Sequence, residues 1–320
     1  MSTTFSQAIA NFSPQLPLGI AFSGGADSTA LLVATAQKWP GQVIALHINH
    51  GLQTAAMDFQ RHCEGVCTEL AVPLRVARVS AGAAPGQSPE DAARIARYKE
   101  LVALGLAEDA QSAIKSIATA QHADDQVETL LLALGRGAGL AGLSGMAPQW
   151  RRGGLDFHRP LLDVPAHAIR EWLAVQGQNF IEDPSNANVR FTRNHIRARL
   201  LPALAEVFPQ FRDTFTRSSA HAAQAQALIN EFGQVDLEAV SALNSQQPVI
   251  AKLQQLSRPR LANVLRHWLK AQYNVIPNAA QLDELLAQIT ACTTRGHQIH
   301  IKVGAGFVKR EGLVLAWYNP

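Results

Sequence analysis

The chain has 320 residues, 47% of them hydrophobic and 17% charged, a composition typical of a soluble globular protein. Its length favours two domains. No run of about 18 apolar residues occurs, and the N-terminus lacks a basic segment followed by a long apolar run, so we expect neither a membrane span nor a secretory signal. Three cysteines, an odd number, fit a reducing cytoplasm better than a disulfide framework.

The net charge of +3 conceals an uneven distribution. Residues 1–150 carry 9 Lys and Arg against 12 Asp and Glu, whereas residues 251–320 carry 9 against 3. The basic excess in the C-terminal part indicates affinity for a polyanion such as RNA, because each neutralised phosphate releases counterions. From charge alone, a solvated basic surface without a partner is an equally good interpretation.

Short apolar runs rich in β-branched residues alternate with helical patterns through the first half of the chain. We predict strands at 17–22, 42–48, 74–79 and 113–119, and helices near 27–38, 54–71, 89–107 and 124–134. Strands separated by helices of this length form βαβ units, so the predicted fold class is α/β, a Rossmann-like parallel sheet with helices on both faces. Ligands of such sheets bind beyond the carboxyl ends of the strands.

The first predicted strand ends at a glycine-rich turn, SGGADS, that opens the first predicted helix. Helix N-termini present unpaired N–H groups, and Gly24 and Gly25 allow the backbone to approach an anion closely. Ser23 and Ser28 add hydroxyl donors, so the turn suits a phosphate. Asp27 would repel that phosphate unless a divalent cation, typically Mg²⁺, lay between them. Asp27 is therefore either a Mg²⁺ ligand or an acid placed favourably in the first turn of a helix.

Histidines and cysteines follow the second predicted strand. His47 and His50 lie at its end, where the base of a nucleotide would rest against backbone groups. Cys63 and Cys67 are one turn apart on the next helix, with His62 beside them. A closed metal site needs four ligands, so we interpret the cysteines as buried helix thiols rather than as part of a metal cluster.

The third predicted helix has a clear start. Ser88 is its N-cap, Pro89 suits the first helical position, and Asp91 closes a capping box. Arg94 and Arg97 follow on neighbouring faces of this helix.

A second polar cluster follows the fourth predicted strand. His122 stands at the tip of that strand, Asp124 and Asp125 open the next helix, and Glu128 lies one turn on. Such an acidic pair at the carboxyl end of a parallel strand faces Asp27 across one crevice and completes a metal–nucleotide site. The alternative, in which these acids are helix caps and an exposed helical residue, suits one residue but not the whole cluster.

Residues 135–154 are glycine-rich, so we predict a mobile functional loop rather than a regular element. Residues 183–204 begin with a sequence typical of turns. We predict one short helix after it, which carries three cations, Arg193, Arg197 and Arg199.

A change in charge balance and Pro209 predict a domain boundary near 210–216, which gives domains 1–213 and 214–320. The second domain is predicted to be smaller and α-rich, and to end in two or three short strands. Its predicted helices are 216–232, 257–272 and 278–290.

The FSGGADS motif resembles the pyrophosphate-binding loop, or PP-loop, of the N-type ATP pyrophosphatases, which split ATP into AMP and pyrophosphate. Further motifs are similar, in order and spacing, to the lysidine synthetase family: HINHGL followed by EDAARIARY, ATAQHADDQVETLLLALGRGAGLAGLSGM, RPLL and DPSNANVRFTRNHIR. The similarity spans residues 17–202. The region after residue 215 resembles the family's middle, tRNA-contacting domain, and the further C-terminal domain of longer members is not evident.

The resemblance implies a reaction. Enzymes of this family use ATP, with Mg²⁺, to adenylate the C2 oxygen of the wobble cytidine in an isoleucine tRNA with a CAU anticodon. The ε-amine of free L-lysine then attacks C2 and displaces AMP, which changes the codon read from AUG to AUA. The resemblance also implies a cytoplasmic enzyme without a membrane partner. It leaves the oligomeric state open, with a homodimer as one expectation.

The matching motifs carry over the following roles as expectations. ATP phosphates would be held by Ser23, Gly24, Gly25, Ala26, Asp27 and Ser28. The catalytic residues would be Asp27, His122, Asp125 and Arg193. Mg²⁺ would be held by Asp27 and Asp125, and Asp124 would lie beside them. Lysine, ATP or tRNA would be oriented by Arg94, Arg97, Glu128 and Arg197. A structural ion pair with Asp183 remains the alternative for Arg193 and Arg197, and the 135–146 loop would close over the site.

Two positions depart from the family pattern: Gln53, where Arg is frequent, and Gln121, where a second His commonly precedes His122. Neither has an assigned role. Two rival functions also remain: a tRNA thiolation enzyme that uses the same adenylation, and a non-catalytic nucleotide sensor. Thiolation usually needs a catalytic cysteine or a cysteine-bound cluster, and none of the three cysteines lies in a C-x-x-C motif.

Overall fold

The computed structural model describes residues 3–49, 55–79, 89–107, 113–182, 190–243, 245–294 and 296–320. Ser88, His50, Gln53 and Asp183 lie outside these ranges. The chain divides into two compact units, Met1–His221 and Ala222–Pro320, and the junction falls inside one long helix. The functional division into domains 1–213 and 214–320 stays a prediction.

The first unit is built on a six-stranded sheet. Its strands are β1 (Leu18–Ala21), β2 (Val43–Asn49), β3 (Leu74–Arg78), β4 (Ser116–Ala118), β5 (Gln149–Arg152) and β6 (Leu155–His158). Its first seven helices are α1 (Phe5–Asn11), α2 (Ala26–Lys38), α3 (Ala55–Glu69), α4 (Pro89–Leu106), α5 (Ala123–Gly135), α6 (Leu140–Leu143) and α7 (Ala166–Val175). These are followed by α8 (Thr192–His195), a π-helical turn (Ile196–Leu200) and α9 (Leu201–Val207).

The strand order of the sheet is β3-β2-β1-β4-β6-β5. All neighbouring pairs are parallel except β5 and β6, which are antiparallel. On one side of the sheet β1 is followed outward by β2 and β3, and on the other side β4 is followed by β6 and the edge strand β5. The gap between the carboxyl ends of β1 and β4 is the topological switch point, where ligands of open α/β sheets bind.

Helices cover both faces of this sheet, as the alternating side chains of β2 show. Val43 and Ala45 join a core with residues of α1, α2 and α7, whereas Ile44 and Leu46 join another core with Tyr98 and other residues of α4. Because successive side chains of a strand point to opposite faces, these two cores lie on opposite sides of the sheet. The predicted α/β architecture is confirmed.

The prediction for residues 135–154 is wrong in part. This stretch contains the short helix α6 and the edge strand β5, which pairs with β6 across Gly153 and Gly154. Both glycines have positive φ, 57° and 84°, as the two-residue turns that suit β-hairpins require. The Gly-Gly pair was thus a hairpin signal inside a segment that composition alone assigned to a loop.

The segment with three arginines also differs from its prediction as one short helix. Arg193 lies on α8, whereas Arg197 and Arg199 lie on the π-helical turn that follows it. Such turns are frequent at functional sites because they change the direction of side chains within a helix.

The second unit begins within α10 (Phe211–Val240) and is α-rich, as predicted. Its other helices are α11 (Ile250–Leu253), α12 (Arg258–Tyr273) and α13 (Ala279–Ala291). Its strands β7 (His300–Val303), β8 (Gly306–Glu311) and β9 (Val314–Tyr318) form an antiparallel sheet. Trp268 is fully buried in the core of this unit. Across the described part of the chain, no helix combines the length and apolar character needed to cross a membrane.

Candidate active site

The turn between β1 and α2 is tightly constrained at Gly24. This glycine has a φ of 84°, which side-chain-bearing residues rarely adopt. A Cβ atom there would lie 3.1 Å from Cys63 Sγ and 3.3 Å from His62 Cδ2, so these α3 side chains would have to move by a few tenths of an ångström. Ile181 donates its N–H to the Gly24 carbonyl at 2.9 Å. The conformation of the turn is therefore fixed by the positive φ of Gly24 and by close packing behind it.

Hydroxyl groups close the same turn onto the start of α2. The Ser23 N–H donates to Ser28 Oγ at 3.2 Å, and Ser28 Oγ donates to the Gly25 carbonyl at 3.0 Å. The first N–H of α2 with a helical acceptor belongs to Thr29. The preceding N–H groups, from Ala26 to Ser28, are those that a helix N-terminus offers to an anion. The geometry suits the phosphate role that the sequence predicts for Ser23 to Ser28.

Asp27 meets His122 at the switch point of the sheet. Asp27 lies in the first turn of α2, and His122 directly precedes α5. His122 Nε2 lies 3.6 Å from Asp27 Oδ2 and 3.5 Å from Asp125 Oδ2, and the imidazole is almost fully buried. The backbone N–H of His122 also donates a hydrogen bond to Asp125 Oδ2 at 3.1 Å. The ends of β1 and β4 thus bring three of the predicted catalytic residues into one cluster.

The carboxylates around His122 decide the charge of its imidazole. Burial alone would lower its pKa, but Asp125, Asp27 and Asp124 together outweigh burial and raise the pKa to about 9. The imidazole is therefore cationic at neutral pH. A buried positive charge stands beside the turn that the sequence assigns to phosphates.

Asp124 and Asp125 point to different partners. Asp124 Oδ1 accepts hydrogen bonds from Arg212, with Nη2 at 2.6 Å and Nε at 2.8 Å. Its Oδ2 accepts the N–H of Ala166 at 2.9 Å. Although burial opposes ionisation, the Arg212 and Ala166 hydrogen bonds lower the pKa of Asp124. Asp124 therefore anchors α5 to α7 and to the start of α10, and of this acidic pair Asp125 is the member that faces Arg197 and His122 Nε2.

Glu128 is fully buried and binds the arginine-rich segment. Its Oε1 accepts hydrogen bonds from Nε and Nη2 of Arg197, each at 2.8 Å. Its Oε2 lies 3.7 Å from Arg193 Nη1. Arg197 Nη2 also lies 3.3 Å from Asp125 Oδ1. Burial is the main cause of the raised pKa of Glu128, and the two arginines oppose it. The structure brings Glu128, Arg193 and Arg197 together beside the His122 cluster.

The two predicted arginines of α4 are exposed to solvent. Arg94 is close enough to Arg159 to affect the pKa of that guanidinium. No contact with the His122 cluster is recorded for Arg97 within the described ranges. Their predicted roles toward ATP or lysine stay predictions.

Gln126 is a residue that the sequence interpretation did not single out. Its buried amide accepts the Met146 N–H at 2.7 Å and donates to the Met146 carbonyl at 3.1 Å. A Cβ on Gly145, whose φ is 63°, would lie 2.8 Å from this amide. The end of the glycine-rich segment is therefore fastened to α5 next to Asp125.

Two arginines near the site were also missed as individual residues. Arg212 binds Asp124 as described above, and no sequence signal links them because 88 positions separate them. Arg159 begins the RPLL motif, directly after β6, and its side chain reaches Gln121 beside His122. The motif was noticed, but β6 was not predicted, so nothing placed Arg159 at a strand end.

The other polar groups behind the turn do not form a metal centre. Cys63 and Cys67 are buried free thiols, as predicted. Burial raises the pKa of Cys63 to about 12 and that of Cys67 to about 11, so neither is a thiolate at neutral pH. Among the described residues, no group of three or more His, Cys, Asp or Glu side chains is arranged to hold a metal ion.

Comparison with known families agrees with this geometry. Residues 1–204 match the PP-loop domain family, and residues 249–312 match the TilS substrate binding domain. The solved structure of the U34-tRNA thiolase NcsA from Methanococcus maripaludis is similar, with a TM-score of 0.55 at 14% identity over 64% of this chain and 70% of that chain. This likeness concerns the fold alone. Fold and site together define a PP-loop enzyme that uses ATP.

Curated relatives narrow the class further. A tRNA(Ile)-lysidine synthase from Polaromonas naphthalenivorans is 57% identical over 300 residues, covering 94% of this chain and 89% of the relative. The enzyme of that name from Burkholderia pseudomallei is 40% identical over 86% of this chain, and that from Pseudomonas fluorescens is 43% identical over 78%. The chain belongs to the tRNA(Ile)-lysidine synthase family. It spans only 56% and 57% of the last two relatives.

Proposed function

We propose that this enzyme ligates lysine to C2 of the wobble cytidine of an isoleucine tRNA with a CAU anticodon. The observation that carries the proposal is the meeting of Asp27, His122 and Asp125 at the switch point beside a PP-loop turn. The relatives named tRNA(Ile)-lysidine synthase support the choice of substrates. The expected consequence is a change of the codon read, from AUG to AUA.

The chemistry explains why ATP is needed. The C2 oxygen of cytosine attacks the α-phosphorus of ATP, and the bond to the β-phosphate breaks, which releases pyrophosphate. The lysine ε-amine, in its neutral form, then forms a C–N bond at C2 and loses a proton. The C2–O bond breaks and AMP leaves. A carbonyl oxygen is a poor leaving group until it becomes a phosphate ester, so adenylation must come first.

The PP-loop turn and His122 both contribute to phosphate binding, each in a different way. The N–H groups at the start of α2 receive the departing pyrophosphate, with Ser23 and Ser28 shaping the turn. The cationic His122 lies next to that turn and stabilises negative charge that develops on the phosphates. Arg193 and Arg197, held by Glu128, add positive charge on the same side.

The carboxylates of this cluster fit Mg²⁺. Asp27 Oδ1 is buried and has no hydrogen-bond partner in the described part of the chain, and carboxylate oxygens are preferred Mg²⁺ ligands. Asp27 and Asp125 would hold the ion, with nucleotide phosphates and water completing its shell. When bound, Mg²⁺ would neutralise charge on the phosphates. Asp27 then no longer repels the ligand of its own turn.

Glu128 is proposed to orient the lysine substrate. Its Oε2 is buried and makes no hydrogen bond within the described ranges, although Arg193 lies 3.7 Å away. A buried carboxylate oxygen with spare acceptor capacity suits the α-ammonium group of an amino acid. Arg94 and Arg97 remain proposed contacts to ATP or lysine from α4.

Two further proposals concern the state of the enzyme in the cell. Three buried free thiols support a reducing compartment, which we propose to be the cytoplasm. We also propose a homodimer, because Leu228, Phe232 and Val235 are exposed and follow one face of α10. Light scattering of the purified enzyme tests the second proposal, and a monomer mass would contradict it.

The thiolation alternative has weaker support. Cys63 is the cysteine nearest the PP-loop turn, but its thiol is buried and its pKa is raised to about 12. Such a thiol does not become a thiolate nucleophile at neutral pH.

The order of product release tests the proposed function. With ATP, Mg²⁺ and the CAU-anticodon tRNA but no lysine, a single turnover should release pyrophosphate and retain AMP on the RNA. Addition of lysine should release AMP in equal amount. The proposal would be contradicted if pyrophosphate release required a sulfur donor, or if it occurred equally well without the tRNA.

A further inference from the structure

Arg159 occupies an unusual environment at the carboxyl end of β6. Its guanidinium carbon lies 3.7 Å from the ring centroid of Trp150, which it stacks on. Nε donates to Gln121 Oε1 at 3.2 Å, Nη1 to the Ala147 carbonyl at 2.6 Å, and Nη2 to the Tyr98 hydroxyl at 3.2 Å. All four partners are neutral. The side chain is thus fixed in position without any neutralising charge in contact.

This guanidinium has unused capacity to bind an anion. It carries five N–H groups, of which three are used, so one remains on each terminal nitrogen. No carboxylate of the described residues lies within 4.0 Å of it, and burial lowers its pKa. Burial of a cation without a partner anion is costly, because the charge loses surrounding water. A cation that is positioned but unpaired is suited to an anionic ligand.

The place of Arg159 in the sheet indicates which ligand that is. The PP-loop turn follows β1, His122 follows the adjacent β4, and Arg159 follows β6, the next strand along. Neighbouring strands are about 4.8 Å apart, so Arg159 lies roughly 10 Å from the PP-loop strand, on the far side of His122. The proposed function places the ATP phosphates on the PP-loop side. Arg159 then lies on the side that remains for the other substrates.

Arg159 and Glu128 are each connected to Asp125 through neighbouring side chains. Glu128 and Asp125 share the guanidinium of Arg197, and Gln121, which binds Arg159, directly precedes His122, whose Nε2 lies 3.5 Å from Asp125 Oδ2. Glu128 offers a buried acceptor, and Arg159 offers a pair of donors. Together they supply the two opposite charges that the head group of an amino acid requires.

We propose that Arg159 binds the α-carboxylate of the lysine substrate through its two remaining N–H groups. The proposal rests on the proposed function and deepens it. A planar guanidinium matches the two oxygens of a carboxylate, and stacking on Trp150 holds its plane before the substrate arrives. Gln121, which departs from the family pattern, is then a positioning residue that orients Arg159 through Nε.

The test compares lysine with cadaverine, which is lysine without its carboxylate. The kcat/KM of each amine is measured for the wild-type enzyme, Arg159→Lys and Arg159→Met. Arg152→Met is the matched control, because Arg152 also lies over an aromatic ring of this region, that of Tyr98 at 5.3 Å, but belongs to β5. Pyrophosphate release without lysine is measured in parallel and reports on folding and on ATP use.

We expect the wild-type enzyme to prefer lysine over cadaverine by on the order of 100-fold, as two charge-assisted hydrogen bonds provide. Arg159→Met should remove most of this preference by lowering kcat/KM for lysine alone, and Arg159→Lys should restore part of it. Arg152→Met should keep it. Pyrophosphate release should stay within about threefold of wild type in every variant.

Other outcomes contradict the inference in distinguishable ways. Equal losses for lysine and cadaverine would mean that Arg159 acts on the chemistry or the structure rather than on the carboxylate. A raised KM for tRNA with a shallower salt dependence, at an unchanged amine preference, would assign Arg159 to an RNA phosphate. If the wild-type enzyme transfers neither amine, the proposed function itself is wrong.

Discussion

Asp27 Oδ2 lies 3.6 Å from His122 Nε2, which joins the first turn of α2 to the end of β4. This contact explains an acid in a phosphate-binding turn. The carboxylate has a cation beside it, because the pKa of His122 is raised to about 9 by its carboxylate neighbours despite burial. The Asp27 carboxylate thus faces a cationic side chain as well as the phosphate-binding turn, and the proposed Mg²⁺ would offset its remaining repulsion of the phosphates.

Asp27→Asn should abolish the use of ATP. The amide keeps the size of the side chain but removes the charge that faces His122 and the proposed Mg²⁺. We expect pyrophosphate release in a single turnover to fall by on the order of 100-fold or more, while affinity for tRNA stays unchanged. Asp58→Asn is the control, since Asp58 is an exposed acid paired with Arg61 on α3. A normal rate for Asp27→Asn would remove this residue from the mechanism.

Gly24→Ala should impair both stability and nucleotide binding. Gly41 provides the matched control, because its φ of 73° is similar but nothing lies within 4 Å of its Cβ position. Backbone strain alone should cost each variant roughly 1 kcal/mol of unfolding free energy. Only Gly24→Ala must also displace Cys63 and His62, so we expect its affinity for ATP to fall as well. Equal behaviour of the two variants in ATP titrations would contradict the close packing of this turn.

Gln126→Leu should slow the reaction by releasing Met146 from α5. Gly145→Ala should disrupt the same Gln126–Met146 contact, because the new Cβ would collide with the Gln126 amide. Gly137→Ala controls for backbone strain, since its φ of 64° matches but its surroundings are open. We expect kcat to fall about tenfold in the first two variants with an ATP affinity near wild type, as for a poorly held active-site loop. A similar loss in Gly137→Ala would show that the contact is unimportant.

Asp124 and Arg212 should behave as a buried ion pair in a double-mutant cycle. Removal of one partner leaves a charge buried, so Arg212→Met should lower the free energy of unfolding by about 3 kcal/mol in urea titrations. The combination Asp124→Asn with Arg212→Met should recover part of that loss. Arg258→Met breaks an exposed pair with Asp283 and should cost less than about 1 kcal/mol. Additive losses at Asp124 and Arg212 would refute the coupling.

Much of the first unit could be predicted from local sequence pattern. Strands β1 to β4 and helices α2 to α5 lie within a few residues of the predicted ranges, because each is a short apolar run or a long periodic segment with a clear start. The site follows from the topology of these elements: parallel strands deliver SGGADS and His122 to the same edge of the sheet. The sequence pattern around each residue was therefore sufficient to predict the parts of the site that lie in turns directly after a strand.

What could not be predicted depends on partners far apart in the chain. Trp150 and Arg159 come together only because β5 and β6 form a hairpin, and each strand has only four residues. Arg212 falls in the predicted boundary region 210–216, and nothing in the sequence indicates its contact with Asp124. The sequence also did not indicate which partners Asp124 and Asp125 each contact, since both residues fit the start of a helix.

The central claim is that lysine becomes covalently attached to one cytidine of the tRNA. The most direct measurement is mass spectrometry of nucleosides and anticodon fragments after reaction with isotopically labelled lysine, ATP, Mg²⁺ and the CAU-anticodon isoleucine tRNA. We predict that the label appears on the wobble cytidine alone and is absent when ATP is omitted or when Asp27→Asn replaces the wild-type enzyme. An unlabelled cytidine, or a sulfur-containing nucleoside formed when a sulfur donor is supplied, would contradict the account.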